Sequence, residues 1–172
     1  MDERNWTDEP LRIGEEIRVE TVCVVHKPLG YATLVSGNLD AALKDIAPGA
    51  REAGLCAEVG DGSIALRIGR DKALLVTNDP IDHKSAWNFN GYAVSPADDC
   101  YCLLAVSGDG AEMFLAQGTA CNLTNASPSP AILFAGEQAL LVRNQSSFHL
   151  YVDRAHLTFI TSWIRGAQLP DL

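Results

Sequence analysis

The sequence lacks any cluster of basic residues, and its charge is predominantly negative. Its 172 residues include 13 Lys and Arg against 22 Asp and Glu, which gives a formal net charge of −9 at pH 7. A nucleic acid would be repelled within one Debye length, about 8 to 10 Å at physiological salt. Because affinity for nucleic acids rests on clustered Lys and Arg, we predict that nucleic acid is not a partner.

Long apolar runs are also missing. No stretch approaches the roughly 20 apolar residues that a membrane-spanning helix needs. The first ten residues, MDERNWTDEP, contain no apolar segment of the kind found in a signal peptide. We therefore predict a cytoplasmic protein with no membrane partner.

Metal-binding spacings are absent. The five cysteines include no Cys-x-x-Cys pair, and the histidines have no carboxylate pair at ligand spacing; these residues are Cys23, Cys56, Cys100, Cys102, Cys121, His26, His83, His149 and His156. Cys100 and Cys102 would share one face of a predicted strand. No second pair completes a tetrahedral site, however, so we predict reduced cysteines and no metal.

Signatures of catalysis and of cofactor binding are absent as well. Ser107 has no Gly-x-Ser-x-Gly elbow around it. The segments 60–62 and 108–110 are glycine-rich but lack the Lys-Ser/Thr of a phosphate-binding loop. Asp98 and Asp99 are adjacent, so on a strand they would face opposite ways. We predict no catalytic residue, no cofactor-binding residue and no metal ligand on this chain.

Two short sequence motifs occur twice, in the same order. Val35-Ser36-Gly37 returns as Val106-Ser107-Gly108, an offset of 71 residues. Ala73-Leu74-Leu75-Val76 returns as Ala139-Leu140-Leu141-Val142, an offset of 66 residues. Repeated motifs in repeated order are typical of an internal duplication. We predict an α+β fold made of a duplicated unit, in which a strand and a helix precede an antiparallel sheet.

Hydrophobic periodicity divides the chain into four segments: a polar arm (1–14), a first α+β unit (15–78), an irregular linker (79–99) and a second α+β unit (100–172). The first unit is predicted to contain an alternating strand over 17–25, a strand over 31–36, a helix capped by Asn38 and ended by Pro48-Gly49, and antiparallel strands over 56–59, 64–68 and 73–76.

The second unit repeats this order. Its predicted elements are a strand over 100–106, a helix capped by Asp109 and ended by Gly118, a hairpin of 131–134 with 139–142 over Gly136, a strand through Phe148, Leu150 and Val152, and a last helix capped by Asp153 with Leu157, Ile160, Trp163 and Ile164 on its apolar side.

The predicted linker carries three aromatic residues, Trp87, Phe89 and Tyr92. Aromatic side chains in a segment without periodicity either fix the loop to the core or await a partner, since aromatics are enriched at interfaces. Both alternatives stay open from the sequence. If this segment has a function, we expect association rather than catalysis.

These residues together resemble the gamma subunit of heterotetrameric sarcosine oxidase, a relative of the folate-binding aminomethyltransferases. The family's Ser-Gly-Pro-x-Ala helix start is matched by Ser107-Gly108-Asp109-Gly110-Ala111, with Leu115 and Gly118 following. Its Phe-Asp-Leu-Tyr-Val-x-Arg strand end is matched by residues 148–154, and its closing Trp-bearing helix by Trp163. The likeness covers roughly residues 17 to 167.

The chain departs from the family pattern at several places. Asp109 replaces the family's proline, and Asn122 and His149 replace family aspartates. In the first half, the helix that usually follows the Leu-Leu-Val strand is missing, and the irregular segment from Asp79 to Asp99 stands in its place.

The resemblance implies an aminomethyltransferase-like fold and a structural, non-catalytic role beside larger alpha and beta subunits. Those partners would carry the FAD, FMN, NAD and tetrahydrofolate of a bacterial complex that demethylates sarcosine oxidatively and passes the one-carbon unit to tetrahydrofolate. Two alternatives stay open. One is a free-standing protein that binds tetrahydrofolate in the cleft between its two units, and the other is a homo-oligomer that kept the fold without the partners.

Overall fold

The computed structural model describes residues 10–82, 85–125 and 127–169. Most of the predicted polar arm and His83 therefore lie outside the described residues. The described elements are β1 (Glu16–Val19), β2 (Val22–Lys27), β3 (Tyr31–Gly37), α1 (Leu39–Ile46), β4 (Arg51–Ala53), β5 (Ile64–Gly69), β6 (Lys72–Thr77), β7 (Trp87–Asn88), β8 (Tyr92–Pro96), β9 (Tyr101–Ser107), α2 (Ala111–Gly118), β10 (Ala131–Phe134), β11 (Glu137–Asn144), β12 (Ser147–Asp153), a 3₁₀ turn (Arg154–His156) and α3 (Leu157–Gly166).

The strands form two six-stranded sheets. Sheet I has the order β1-β2-β9-β12-β11-β10, and sheet II has the order β4-β5-β6-β3-β8-β7. Neighbouring strands are antiparallel throughout, apart from the parallel pair of β4 and β5. The molecule is thus a sheet-rich α+β protein, as the sequence predicts.

The two sheets pack face to face, with helices on both outer faces. Leu74 of sheet II meets Leu103 and Tyr151 of sheet I in the apolar layer between the sheets. α1 covers the outer face of sheet II, and α2 and α3 cover that of sheet I, where Phe114 is fully buried. Side chains alternate between the faces of a strand, so each central strand contributes to two apolar layers.

The two halves of the chain exchange their hairpins. The series β3-α1-β4-β5-β6 is repeated as β9-α2-β10-β11-β12, and each series is preceded by a hairpin. The first hairpin, β1–β2, pairs with β9, where Val24 lies opposite Val106. The second, β7–β8, pairs with β3, where Val94 lies opposite Val35. Each sheet is therefore completed by the hairpin that precedes the other half's series.

The repeated Val-Ser-Gly motif marks the contact between a hairpin turn and a strand end. Gly37 and Gly108 lie at equivalent positions, with φ of +103° and +110°. A Cβ atom on Gly37 would collide with the carbonyl oxygen of Gly91, and one on Gly108 with that of Thr21. Both glycines are required because the hairpin turn lies directly against them.

The second repeated motif, Ala-Leu-Leu-Val, does not correspond to a structural repeat. Ala73–Val76 lies in β6, which pairs with β3. Ala139–Val142 lies in β11, which is separated from β9 by β12. The topological counterpart of β6 is β12, so the offset of 66 residues is a coincidence of two buried, leucine-rich strands.

Three predicted elements of the first half are wrong in detail. The alternating strand over 17–25 is a hairpin, because Glu20 takes a φ of +52° and reverses the chain. The strand predicted over 56–59 is instead a crossing segment between the sheets, where the Val59 amide donates to the Arg143 carbonyl at 2.7 Å. The linker predicted as irregular over 79–99 contains β7 and β8.

Two predictions near β9 and α2 are also wrong. Asp109 does not cap α2: its N-cap is Gly110, with no side-chain hydrogen bond, and Asp109 is exposed. Cys100 precedes β9 in an exposed turn, while Cys102 lies in the strand and is buried. The two thiols therefore do not share a strand face. Gly108 has a positive φ, and its carbonyl oxygen accepts a hydrogen bond from the Ala111 amide. A backbone carbonyl therefore lies at the start of α2, where a capping side chain was predicted.

The remaining elements are confirmed. The Asn38 side chain accepts a hydrogen bond from the Ala41 amide at the start of α1. Asp153 caps the 3₁₀ turn that leads into α3. The hairpin of β10 and β11 turns at Gly136, and α3 buries Leu157, Ile160 and Ile164.

Candidate interaction surface

The aromatic residues of the predicted linker separate into one buried residue and two exposed ones. Tyr92 is 0% exposed, whereas Trp87 is 69% and Phe89 fully exposed. Tyr92 begins β8 and packs under α1. The alternatives left open by the sequence therefore both apply, because Tyr92 fixes the hairpin to the core and the other two rings face solvent. We call Trp87 and Phe89 together the aromatic hairpin.

A polar network holds the backbone of the aromatic hairpin in place. The Asn90 Nδ2 group donates to Asp45 Oδ2 at 2.7 Å, and the Tyr92 hydroxyl donates to the same oxygen at 3.2 Å. The Asn90 amide donates to Asn88 Oδ1 at 2.8 Å. Burial, and secondarily Asp45, raise the pKa of Tyr92, so its hydroxyl stays protonated as a donor. The loop that carries Phe89 is thereby fixed to α1.

Exposure of these rings carries an energetic penalty. Burying a Phe side chain typically stabilises a protein by about 1.5 to 3 kcal/mol relative to leaving it in water. Ile13, Tyr31, Leu133 and Phe159 are also exposed, but no two of them lie within three residues of each other in the chain. Single apolar side chains on a surface are common, whereas two large aromatics within three residues favour a contact surface.

An acidic depression adjoins the aromatic hairpin. It has a volume of about 310 Å³ and is lined by Asp45, Asp79 and Asp82 together with Ser63 and Thr77. Asp45 connects the two features, since it lines the depression and accepts hydrogen bonds from Asn90 and Tyr92, the residues that follow Phe89 and begin β8. We call this depression the acidic pocket.

The described histidines lie apart from one another. His26 Nδ1 is 2.7 Å from the Leu11 carbonyl oxygen, which attaches the segment before β1 to sheet I. His149 is buried on β12, where Nε2 is 3.4 Å from Asn144 Nδ2. His156 Nδ1 is 2.7 Å from Glu137. Among the described residues, no group of three or more His, Cys, Asp and Glu is arranged to hold a metal.

The other candidate polar residues have structural partners. Ser107 Oγ donates to the Cys23 carbonyl at 3.4 Å, which joins β9 to β2. Asp98 Oδ1 accepts the Ala32 amide at 2.9 Å, so this carboxylate links the start of β9 to β3. Asp99 is exposed and lies 3.9 Å from Arg154. The structure does not bring these groups together.

A further cleft lies between the two halves of the chain, as the folate-binding alternative requires, but the sequence does not indicate its lining residues. Its volume is about 710 Å³, and it lies where the segment 54–57 meets residues 123–125, 127 and 128 and β11. The Arg143 guanidinium stacks 4.5 Å from the centre of the Phe148 ring and lies 3.5 Å from Glu112. Cys56 takes a φ of +51°, and burial raises the pKa of its thiol.

A close backbone contact explains the glycine at position 54 beside this cleft. A Cβ atom on Gly54 would collide with the carbonyl oxygen of Ser127, and the Leu55 amide donates to that same oxygen at 2.9 Å. The backbones of the two halves are therefore in direct contact beside Gly54. Such a long-range contact leaves no periodic trace in the sequence.

No helix of the described residues is long and apolar enough to cross a membrane. No protein-family model matches the chain, and no curated protein matches it by sequence. One comparison with solved structures does find a match, in fold rather than in sequence. The fold is similar to that of a chain in a heterotetrameric sarcosine oxidase.

That structure is the heterotetrameric sarcosine oxidase from Corynebacterium sp. U-96 in complex with pyrrole 2-carboxylate. The match has a TM-score of 0.56 and 18% sequence identity, and it covers 90% of this chain and 91% of the other. The two chains are therefore of similar length and share one fold over about nine-tenths of each. At this identity the likeness is one of fold, and it agrees with the resemblance found in the motifs.

Proposed function

We propose that this chain is a gamma-type structural subunit of a sarcosine oxidase-like complex. The observation that carries the proposal is the fold likeness across 90% of this chain and 91% of a chain from a heterotetrameric enzyme. A partial domain match would fit many proteins. A match across both chains supports the same structural unit in a comparable assembly.

The aromatic hairpin supports the proposal independently. Interfaces are enriched in Trp, Tyr and Phe, and a few such anchors supply most of the binding energy. Trp87 and Phe89 are exposed on a loop that is fixed to α1 through Asp45. A fixed aromatic loop loses little conformational entropy on binding, which strengthens its binding to a partner.

In the proposed complex this chain contributes no catalytic residue. FAD, FMN, NAD and tetrahydrofolate would be held by larger alpha and beta partner subunits, which would demethylate sarcosine oxidatively and transfer the one-carbon unit. The role of this chain would be to complete and stabilise the assembly.

Co-purification tests the proposal. We expect the tagged chain, isolated from its native cells, to bring large partners and visible flavin absorbance with it. The complex should oxidise sarcosine. A colourless protein without partners would reject the proposal.

The large cleft favours a second candidate, a free-standing protein that binds tetrahydrofolate between the two halves. Its volume of about 710 Å³ is within the range of small-molecule sites. The test is a titration of the isolated chain with tetrahydrofolate, followed by fluorescence. Micromolar saturation that is lost in Arg143→Met would support this candidate. A partner-free chain that binds no folate and elutes as a multimer would indicate the homo-oligomer instead.

A further inference from the structure

The aromatic hairpin and the acidic pocket form one continuous surface. Asn90, next to Phe89, is hydrogen-bonded to Asp45, and Asp45 lines the pocket with Asp79 and Asp82. A partner that covers the turn at Phe89 and Asn90 would therefore lie beside Asp45, at the edge of the acidic pocket.

The described lining of the acidic pocket ends at Asp82, and residues 83 and 84 lie outside the described residues. None of the described residues that line it is basic. Lys44 follows Leu43 on α1, but it lines a separate depression with Asp40 and Glu52. Three carboxylates around a single pocket repel one another, and this repulsion increases when a partner excludes water from them. A partner without a positive charge at this point would be disfavoured.

We propose that this surface binds a protein partner that offers an apolar pocket to the Phe89 ring and inserts a Lys or Arg side chain into the acidic pocket. The inference rests on the proposed function to the extent that this partner is the larger, flavin-bearing subunit. The exposed ring supplies apolar area, and the carboxylates supply selectivity for a basic partner. The net charge of −9 also draws this chain towards a basic surface at long range.

Site-specific photocrosslinking identifies the residues that face Phe89. The photoreactive analogue p-benzoylphenylalanine replaces Phe89 in the full chain, expressed in its native cells, and the crosslinked peptide is sequenced. We expect one partner protein, with the crosslink on apolar residues close to a Lys or Arg. The matched control carries the analogue at Phe159, an exposed aromatic on α3, and should not give this product.

A charge experiment tests the second half of the inference. The crosslink yield is compared for Asp79→Asn/Asp82→Asn and for Asp61→Asn/Asp99→Asn, which removes the same charge from exposed positions outside the pocket. We expect the first variant to lower the yield about tenfold at low salt and to flatten its salt dependence. The second variant should behave like the parent chain.

Each outcome bears on the inference. It is overturned if the analogue at position 89 captures nothing, captures a second copy of this chain, or reacts at a surface without a basic residue. It is also overturned if the two charge variants behave alike. Flavin absorbance of the unmodified complex is read separately. Flavin absorbance without a crosslink at position 89 rejects this surface and retains the proposed function. A crosslink to a basic partner in a complex without flavin absorbance supports this surface and rejects the proposed function.

Discussion

The side chain of Asn90 donates a hydrogen bond to the carboxylate of Asp45, 45 positions earlier in the chain, at 2.7 Å. This bond, with the one from the Tyr92 hydroxyl, fixes the turn of the second hairpin to α1. The exposed rings of Trp87 and Phe89 are thus presented by a turn with its own anchor. The strength of that anchor is measurable.

Asp45→Ala removes the acceptor of both hydrogen bonds. A net contribution of about 0.5 to 1.5 kcal/mol for each bond predicts a loss of about 1 to 3 kcal/mol in the free energy of unfolding. Urea unfolding measures it. Asp61→Ala, which removes an exposed carboxylate in a turn, should stay within about 0.5 kcal/mol of the parent chain. Equal stability of the two variants would contradict the anchoring role of Asp45.

Truncation of the exposed rings should weaken assembly without weakening the fold. Trp87→Ala and Phe89→Ala remove side chains that have few neighbours in the chain itself, so we expect changes in unfolding free energy within about 0.5 kcal/mol. Phe114→Ala is the contrasting control, since Phe114 is fully buried and its ring lies 5.8 Å from that of Trp163. Phe114→Ala should lower the free energy of unfolding by about 3 to 5 kcal/mol. A marked loss of stability in Phe89→Ala would assign that ring to the core.

Gly108→Ala should be far more damaging than Gly136→Ala, although both glycines have a positive φ. Gly136 has open space around its Cα, so only the backbone strain of about 1 kcal/mol is expected there. At Gly108 the new methyl group meets the Thr21 carbonyl, which must move. We expect a cost of about 2 to 4 kcal/mol, checked by denaturant unfolding. Similar costs for the two variants would mean that the first hairpin does not press against Gly108.

His149 predicts a loss of stability in mild acid. Burial, and secondarily Lys27, lower the pKa of its imidazole below the ordinary value of 6.5. The unfolded chain therefore binds more protons than the folded chain in the window below pH 6.5, and stability falls as the pH falls through that window. Unfolding free energies at pH 7.5 and 5.5 measure the effect. His149→Gln should reduce the difference between the two, whereas His156→Gln should retain it. An unchanged difference in His149→Gln would assign the effect to the carboxylates.

The elements that the sequence predicts correctly are those whose signals are local. Asn38 caps α1, Gly136 turns the β10–β11 hairpin, and Ile160 with Ile164 forms the buried face of α3, each as predicted. Capping, turn conformation and helical spacing depend on residues within a few positions, so they can be read from a window of sequence.

Long-range pairing could not be read in this way. The alternation through Thr21 and Cys23 continues smoothly across a chain reversal at Glu20, so a hairpin looked like one strand. The candidate surface shows the same limit. The three aromatics of the segment 79–99 were recognised as a group, but only the fold shows that Tyr92 is buried while Phe89 is exposed. Asp45 gave no sequence signal, because its partners are 45 and 47 residues away.

Because the two halves exchange hairpins, a substitution in one hairpin should lower the local stability of the sheet built mainly from the other half. Val24 belongs to the first half of the chain but pairs with β9 of the second, and Val94 precedes the second half's series but pairs with β3 of the first. Each is buried, so replacement by alanine should cost about 2 kcal/mol. Hydrogen exchange reports where in the structure the cost is felt.

Val24→Ala should speed the exchange of amides in β9 and β12, and Val94→Ala should speed exchange in β3 and β6. The effect of each substitution thus appears in the sheet built mainly from the other part of the sequence. If the two halves instead folded as separate sequential units, Val24→Ala would loosen β3 and β6, which belong to the same half of the chain. Uniform acceleration in both variants would mean that the two sheets unfold as one cooperative unit, because the apolar layer between them couples their opening more strongly than either hairpin does.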